Sequence, residues 1–210
     1  MCGVMYMKKT IAIVVGVILF AVGAILGIAA TKPDVVHVER SLAINASPAD
    51  IHPHINNYKD WTAWSPWEKQ DPNMKRTYSG AESGVGAKYA WEGNDNVGIG
   101  DMEITSSEPQ EIKLNLHFVK PFEGTSKVTF SMVPQGEATK VTWAMDSENA
   151  FPCKVMQVFM SMDDCCGKEF EKGLASLKTV SESSQTAKGK PSEEKTDTKS
   201  EEKKETANNG

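Results

Sequence analysis

From residue 35 to residue 145 the chain alternates between apolar and polar positions, and beyond that it does not. Val36, Val38, Leu42 and Ile44 share one face of an extended segment with Arg40, while His37, Glu39 and Ser41 take the other. A period of two sustained this way predicts a half-buried β-strand. The same alternation returns at Ala87, Tyr89 and Trp91, at Gly100, Met102 and Ile104, and at Ile112, Leu114, Leu116 and Phe118. It returns again at Val128, Phe130 and Met132, and at Val141, Trp143 and Met145. Turn signals such as Glu82-Ser83-Gly84, Glu108-Pro109-Gln110 and Pro134-Gln135-Gly136 separate these runs. Then the period lengthens. Val155, Val158, Phe159, Met162, Cys166, Phe170, Leu174 and Leu177 recur at three and four, which predicts one amphipathic helix of about six or seven turns.

Two short helices are expected after the first strand. In "NASPADIHPHI", Ser47 precedes Pro48 and stands three residues before Asp50, the form of an N-cap with proline at the first helical position. Pro53 is expected to cut that helix short. "YKDWTAWSPW" predicts a second helix from Lys59 to about Trp64, stopped before Pro66. The order is then strand, two short helices, about six antiparallel strands and one long helix, an α+β arrangement. A strongly bent sheet wrapped round that helix encloses a cavity between the two.

Upstream the pattern is of another kind. Ile11 to Ala30 is 20 residues without a charge, about 30 Å of helix and one bilayer crossing. Lys8 and Lys9 precede it, and by the positive-inside rule everything beyond Thr31 is sent across the membrane. A cleaved signal peptide is the rival reading, with small residues at Gly27, Ala29 and Ala30. The length of the apolar run favours an uncleaved signal anchor. Downstream, residues 181–210 hold no aromatic residue, 6 lysines and 7 acids, so they are expected to form a disordered polar tail whose removal leaves stability unchanged. The chain divides into a cytoplasmic N-terminus (1–10), a transmembrane helix (11–30), a linker (31–34), a folded domain (35–180) and the tail. The domain is expected in the periplasm or outside the cell, held to the cytoplasmic (inner) membrane by a single pass.

Charge narrows the partners. Setting aside the tail, the two lysines before the span and Lys32 leaves 14 basic residues against 21 acidic ones, a net −7. No nucleic acid is expected as a main partner. Cys2, Cys153, Cys165 and Cys166 show no Cys-x-x-Cys spacing. On one continuous helix Cys153 and Cys165 would stand about 18 Å apart, beyond disulfide reach, so they read as small apolar residues. His52 and His54 flank Pro53 with no acidic or thiol partner in sight, and no metal is expected. Gly84-Val85-Gly86 and Gly98-Ile99-Gly100 run into strands, whereas a phosphate loop opens a helix; no nucleotide or other cofactor is expected. These glycines read as curling the sheet and clearing room over it. His117, Tyr89 and Asp101 are the raw material for acid–base chemistry, and the sequence brings no two of them within reach.

Three stretches carry a resemblance: "VERSLAINASPADIHPHINNYKDWTAWSPW", "YSGAESGVGAKYAWEGNDNVGIGDMEI" and "FEKGLASLK". Together they make the chain resemble the polyketide cyclase/dehydrase and lipid-transport family of the START-like (SRPBCC) superfamily, over essentially all of residues 36–180. The resemblance implies a helix-grip fold, in which a curved antiparallel sheet of about seven strands grips the C-terminal helix around a hydrophobic tunnel. Relatives bind sterols, polyketides, quinones or lipids, and a minority catalyse cyclisation or dehydration. The family has no universal catalytic triad, so no catalytic residue is carried over. A small hydrophobic or lipid-like ligand is implied. Its cavity is expected to be walled by Tyr89, Trp91, Gly98, Gly100, Met102, Ile104 and Leu114 from the sheet and by Val155, Phe159 and Met162 from the helix. Gly100→Val is then expected to cost binding more than folding. Trp61, Trp64 and Trp67, spaced by three, either gate the cavity mouth, face the bilayer surface or simply pack on the sheet edge. The expected function is a membrane-tethered binding domain. The alternatives are a cyclase/dehydrase-type enzyme using the same cavity, and a protein-interaction module whose cavity is filled.

Overall fold

A computed structural model describes residues 2–188 of the chain. It opens with a helix, α1 (Cys2–Ala30), of which Thr10–Ala30 is long and apolar enough to cross a membrane. The strands follow as β1 (Val35–Ile44), β2 (Lys75–Gly80), β3 (Ala87–Glu92), β4 (Ile99–Glu108), β5 (Glu111–Lys120), β6 (Gly124–Gln135) and β7 (Ala138–Glu148). They form one sheet in the order β1-β7-β6-β5-β4-β3-β2, antiparallel throughout. Period-two burial is plain in β3 and β7, and along β1 Val38 and Ile44 are buried while His37 and Glu39 are exposed. The expected α+β fold is present: a seven-stranded curved sheet with a C-terminal helix across it. Register shifts between Ile99 and Gly100, and between Ile104 and Ser106, put two irregularities into β4. Such bulges bend a strand and raise its twist.

The connection from β1 to β2 is helical. In α2 (Pro48–Asn56) the Ser47 side chain accepts from the Asp50 N–H, as an N-cap should. Pro53 does not end this helix; it lies inside it. Losing one intrahelical bond is outweighed by Ile51 and Ile55, four residues apart and both fully buried. A 3₁₀ turn (Tyr58–Asp60) leads into α3 (Trp61–Trp64), and α4 (Pro66–Gln70) follows at once. Pro66, expected as a stop, instead opens a helix, the position where its fixed φ and missing N–H cost nothing.

The expected single C-terminal helix is two. Residues Phe151–Met156 form α5, a looser turn covers 157–161, and α6 runs from Met162 to Lys188. Ser161 stands just before α6 with Asp163 and Asp164 in its first turn, a helix-start signal that the apolar spacing of three and four had masked. At the other end α6 outruns the expected boundary at 180. Ser181 is fully buried. Glu182 accepts from the Asn45 N–H at 2.8 Å and pairs with Lys178. The tail reading therefore fails for the first residues after Val180, and its remainder, 189–210, lies outside the described residues.

α6 lies along β1 and in the same direction. Arg40 reaches Asp163 (2.8 and 2.9 Å) and Glu171 (2.8 Å) near the start of the helix, while Lys178 and Glu182 meet Ala43 and Asn45 near its end. The Arg40 guanidinium holds the Asp163 carboxyl below its ordinary range. Between these polar clasps Phe170, Leu174 and Leu177 are buried against the sheet. Because residues 181–184 belong to this packing, a chain ending at Val180 is expected to melt about 3 °C below one ending at Lys188. Thermal unfolding followed by far-UV circular dichroism measures it, and equal midpoints would show that the last turns of α6 carry no stability.

Candidate functional site

Between the concave face of the sheet and the first half of α6 lies a cavity of about 430 Å³. Its closed end is aromatic. Trp143 of β7 stacks on Phe170 of α6 with ring centres 4.3 Å apart and planes 7° from parallel. Trp61, Trp64, Trp67 and Phe130 pack edge-on or tilted around that stack. The indoles of Trp61 and Trp64 donate to the backbone carbonyls of Ile55 and His54, each at 2.9 Å. Those carbonyls belong to the last turn of α2, where a helix leaves acceptors unpaired. The tryptophan spacing thus joins α2 to α3 and fixes both on the core.

The side walls come from alternate positions of successive strands: Tyr89 and Trp91 of β3, Met102 of β4, Leu114, Leu116 and Phe118 of β5, Val128 of β6 and Met145 of β7. Met162 and Cys166 of α6 form the roof. Burial pushes the Cys166 thiol up to about 11, with Cys165 and Asp163 nearby adding to the effect, so it sits here as a neutral, apolar group. The mouth is made by Phe122, Met156 and Met160, which line the cavity yet are 48%, 48% and 58% exposed.

One buried ionic cluster interrupts the apolar wall. Glu68 of α4 accepts from the Tyr89 hydroxyl at 2.7 Å and from Arg76 Nε at 2.6 Å, and both Glu68 and Tyr89 line the cavity. Arg76 also donates to the Met74 carbonyl at 2.7 Å. Burial first, and then the bond to Glu68, raises the Tyr89 hydroxyl well above its ordinary value, so the phenol stays protonated and donating. Elsewhere in the wall Ser126 and Ser147 pair at 2.8 Å. The Trp143 Nε1, also buried, has no protein partner.

Of the expected cavity residues, Tyr89, Trp91, Met102, Leu114 and Met162 meet in this wall; the other five do not. Gly98 sits in the turn before β4 at φ +71°, where a Cβ would stand 2.3 Å from the Lys120 carbonyl oxygen. Gly100 is paired across strands with Trp91, and a Cβ there would stand 2.6 Å from the indole ring and 2.5 Å from the His117 carbonyl oxygen. The room it leaves is taken by Trp91, not by a ligand. Ile104 is fully buried in the packed core. Val155 and Phe159 lie off the cavity because the break at 157–161 resets the helical phase, leaving Phe159 73% exposed. The tryptophans form the closed end instead of the mouth: Trp61 and Trp67 line it, and Trp64 is fully buried behind them.

The acid–base candidates separate. His117 Nδ1 and Asp101 Oδ1 are 3.0 Å apart across β4 and β5, but on the exposed outer face, while Tyr89 is inside. His52 lies near Ser107 and His54 near Asp60. Among the described residues no group of three His, Cys, Asp or Glu side chains is placed to hold a metal. Leu116 and Phe118 were legible in principle, since they share a strand face with Leu114; Val128 and Met145 join the wall through strand pairing, Val128 opposite Leu114 and Met145 opposite Val128. Glu68 and the mouth residues were not legible: Glu68 and Phe122 lie in no periodic run, and Met156 and Met160 fall off the apolar stripe that runs through their segment.

A cavity between a curved seven-stranded sheet and a C-terminal helix is joined by direct sequence evidence. The model of the polyketide cyclase / dehydrase and lipid transport family matches residues 35–182. The chain belongs to that family. Solved structures of the same fold include a protein from Chromobacterium violaceum, 12% identical with a TM-score of 0.51 over 72% of this chain and 99% of that one. The Aha1 dimer from Colwellia psychrerythraea is 16% identical with a TM-score of 0.50, covering 69% and 95%. The di-domain ARO/CYC StfQ from the steffimycin biosynthetic pathway is 9% identical with a TM-score of 0.55, covering 72% of this chain and 52% of that one. At these identities the likeness is one of fold. No curated protein matches the chain.

For this member of the family, Gly100→Val is expected to lose roughly 2–3 kcal/mol of stability through overpacking against Trp91 and the β5 backbone. Urea unfolding is the check. A folded Gly100→Val protein of undiminished stability would mean that the β3–β4 contact is looser than the distances imply.

Proposed function

We propose that the chain is a membrane-tethered binding domain for one small, apolar, lipid-like molecule, held in the cavity between sheet and α6. The observation that carries this reading is the cavity itself. Its volume of about 430 Å³ falls in the roughly 300–1,000 Å³ range of small-molecule sites. Its wall is mainly aliphatic and aromatic, with Glu68 bonded to Tyr89 and Arg76 and Ser126 bonded to Ser147, while the Trp143 indole has no protein partner. A wall like this gains most from covering apolar surface. α1 supplies the tether, and Lys8 and Lys9 ahead of the span favour an extracytoplasmic domain. A module whose cavity is filled by its own side chains does not fit a void of this size.

One observation favours a second reading, an enzyme of the cyclase/dehydrase kind. Glu68 and Tyr89 put a carboxylate and a phenol in the cavity wall. Both Glu68 oxygens already accept hydrogen bonds and Arg76 balances its charge, so the cluster fits a structural or ligand-orienting role better than proton transfer.

Native mass spectrometry of the purified chain in detergent is the direct test: the expected result is bound apolar mass that organic extraction removes. Cys166→Trp, which adds bulk from the roof into the void, is expected to weaken binding of cis-parinaric acid about tenfold or more with little loss of stability. Undiminished binding by a folded Cys166→Trp protein would place the ligand somewhere other than this cavity.

A further inference from the structure

The mouth of the cavity and the end of the membrane helix are at the same place. α1 packs against α5, and Ala29, in the last turn of α1, is fully buried there. The linker between α1 and β1 is clamped to the same corner. Asn149 donates from its backbone N–H to the Asp34 carbonyl and from its side chain to the Pro33 carbonyl, each at 2.8 Å. Lys154 of α5 reaches Asp34 at 2.5 Å and holds its carboxyl below the ordinary range. The domain is therefore fixed to α1 by contacts instead of hanging from a loose tether. α5 is six residues, about 9 Å of helix, so all of it lies within that distance of a residue touching the end of the span. The headgroup layer on each side of a bilayer is about 5–8 Å deep.

The surface at this corner is apolar. The described domain has ten large hydrophobic residues classed as exposed, and six of them fall in two short segments: Val119 and Phe122, then Phe151, Met156, Phe159 and Met160. Both segments supply mouth residues. Single exposed hydrophobics need no account, but a cluster of this kind marks an interaction surface. Its continuity with the membrane helix names the partner.

The geometry points to a lipid leaflet as the partner of this face: residues 119–122 and 151–160 insert into the bilayer that α1 crosses. The cavity mouth then opens into the membrane, and an apolar ligand passes between leaflet and cavity without crossing water. This rests on the tethered-binding reading above and adds the route and the surface that serve it. Apolar contact, and not charge, holds the face down, since Glu123 and Glu148 line the cavity there and Lys120 is the neighbour of Val119 in the chain.

The test uses the full chain in phosphatidylcholine vesicles. A photoreactive benzoylphenylalanine is placed at Phe159, at Phe20 within the span, and at Tyr78 on β2 at the opposite edge of the sheet. Lipid adducts are expected at 159 as at 20, and not at 78; a position 159 as unreactive toward lipid as 78 overturns the proposal. In the second arm, vesicles preloaded with cis-parinaric acid are the only source of ligand. Phe159→Asp, which lies off the cavity wall, is expected to slow uptake about tenfold while leaving occupancy in detergent micelles unchanged. An unchanged rate at full occupancy also overturns the membrane route. Wild-type protein that takes up no probe even in detergent refutes the cavity reading instead, and the adduct pattern still decides whether the face docks.

Discussion

The stack of Trp143 on Phe170 is the contact from which the rest of the domain takes its dimensions. It joins β7, the strand next to the edge strand β1, to α6, and it is ringed by Trp61, Trp64 and Trp67 from the helical connection and Phe130 from the neighbouring strand. Aromatic side chains bury roughly 150–250 Å² each, so six rings at one level amount to a large share of a small core. Gly173 shows how closely the helix is drawn in. A Cβ there would stand 2.7 Å from the Trp143 ring and 3.1 Å from Pro66. The stack sets the height of α6 above the sheet at its own level. Towards the start of α6, where Met162 and Cys166 replace the rings, the same height leaves a gap that these side chains do not fill.

The cavity therefore follows from where bulk is placed along one helix. Phe170, Leu174 and Leu177 fill one half of the interface completely. The other half has a thiol and a flexible thioether above a wall of Leu114, Leu116, Val128 and Met145. Beside this underfilled half Arg40 makes three short bonds to Asp163 and Glu171, which tie the first turns of α6 to the edge strand β1. Interiors elsewhere are close-packed, and an unfilled apolar half-interface is a standing cost that a ligand would relieve.

The strands were legible because the sheet is wet on one face, so alternation reports directly on burial. β2 was the exception: it is an edge strand and largely exposed, so it carries no apolar stripe to read. Chain breaks were less legible. The apolar spacing of three and four runs straight through Gln157–Ser161, and only the Ser161-Met162-Asp163-Asp164 signature marks a new helix. That miss moved Val155 and Phe159 off the wall. Gly100 was misread for a different reason. Alternation gives the face a glycine is on, but not whether a neighbouring ring already occupies the space above it, and Trp91 does. The tryptophan triplet failed as a mouth because its indoles find acceptors at the end of α2, a partnership invisible without the helix itself.

The directions of three elements give the site its polarity. β1 leaves the linker at Val35 and runs to Ile44, and α6 travels alongside it from Asp163 near Arg40 to Glu182 near Asn45. The aromatic plug at Phe170 therefore lies beyond the cavity as seen from α1, and the break that forms the mouth lies before it. β1 pairs with the end of β7 at Val35 and Glu148, which puts the linker, the start of α5 and the end of α1 in one corner by strand register alone. The open end thus faces α1 as a consequence of topology. A continuous helix from 151 to 188 would have roofed that end over; the break at 157–161 keeps the side nearest α1 open.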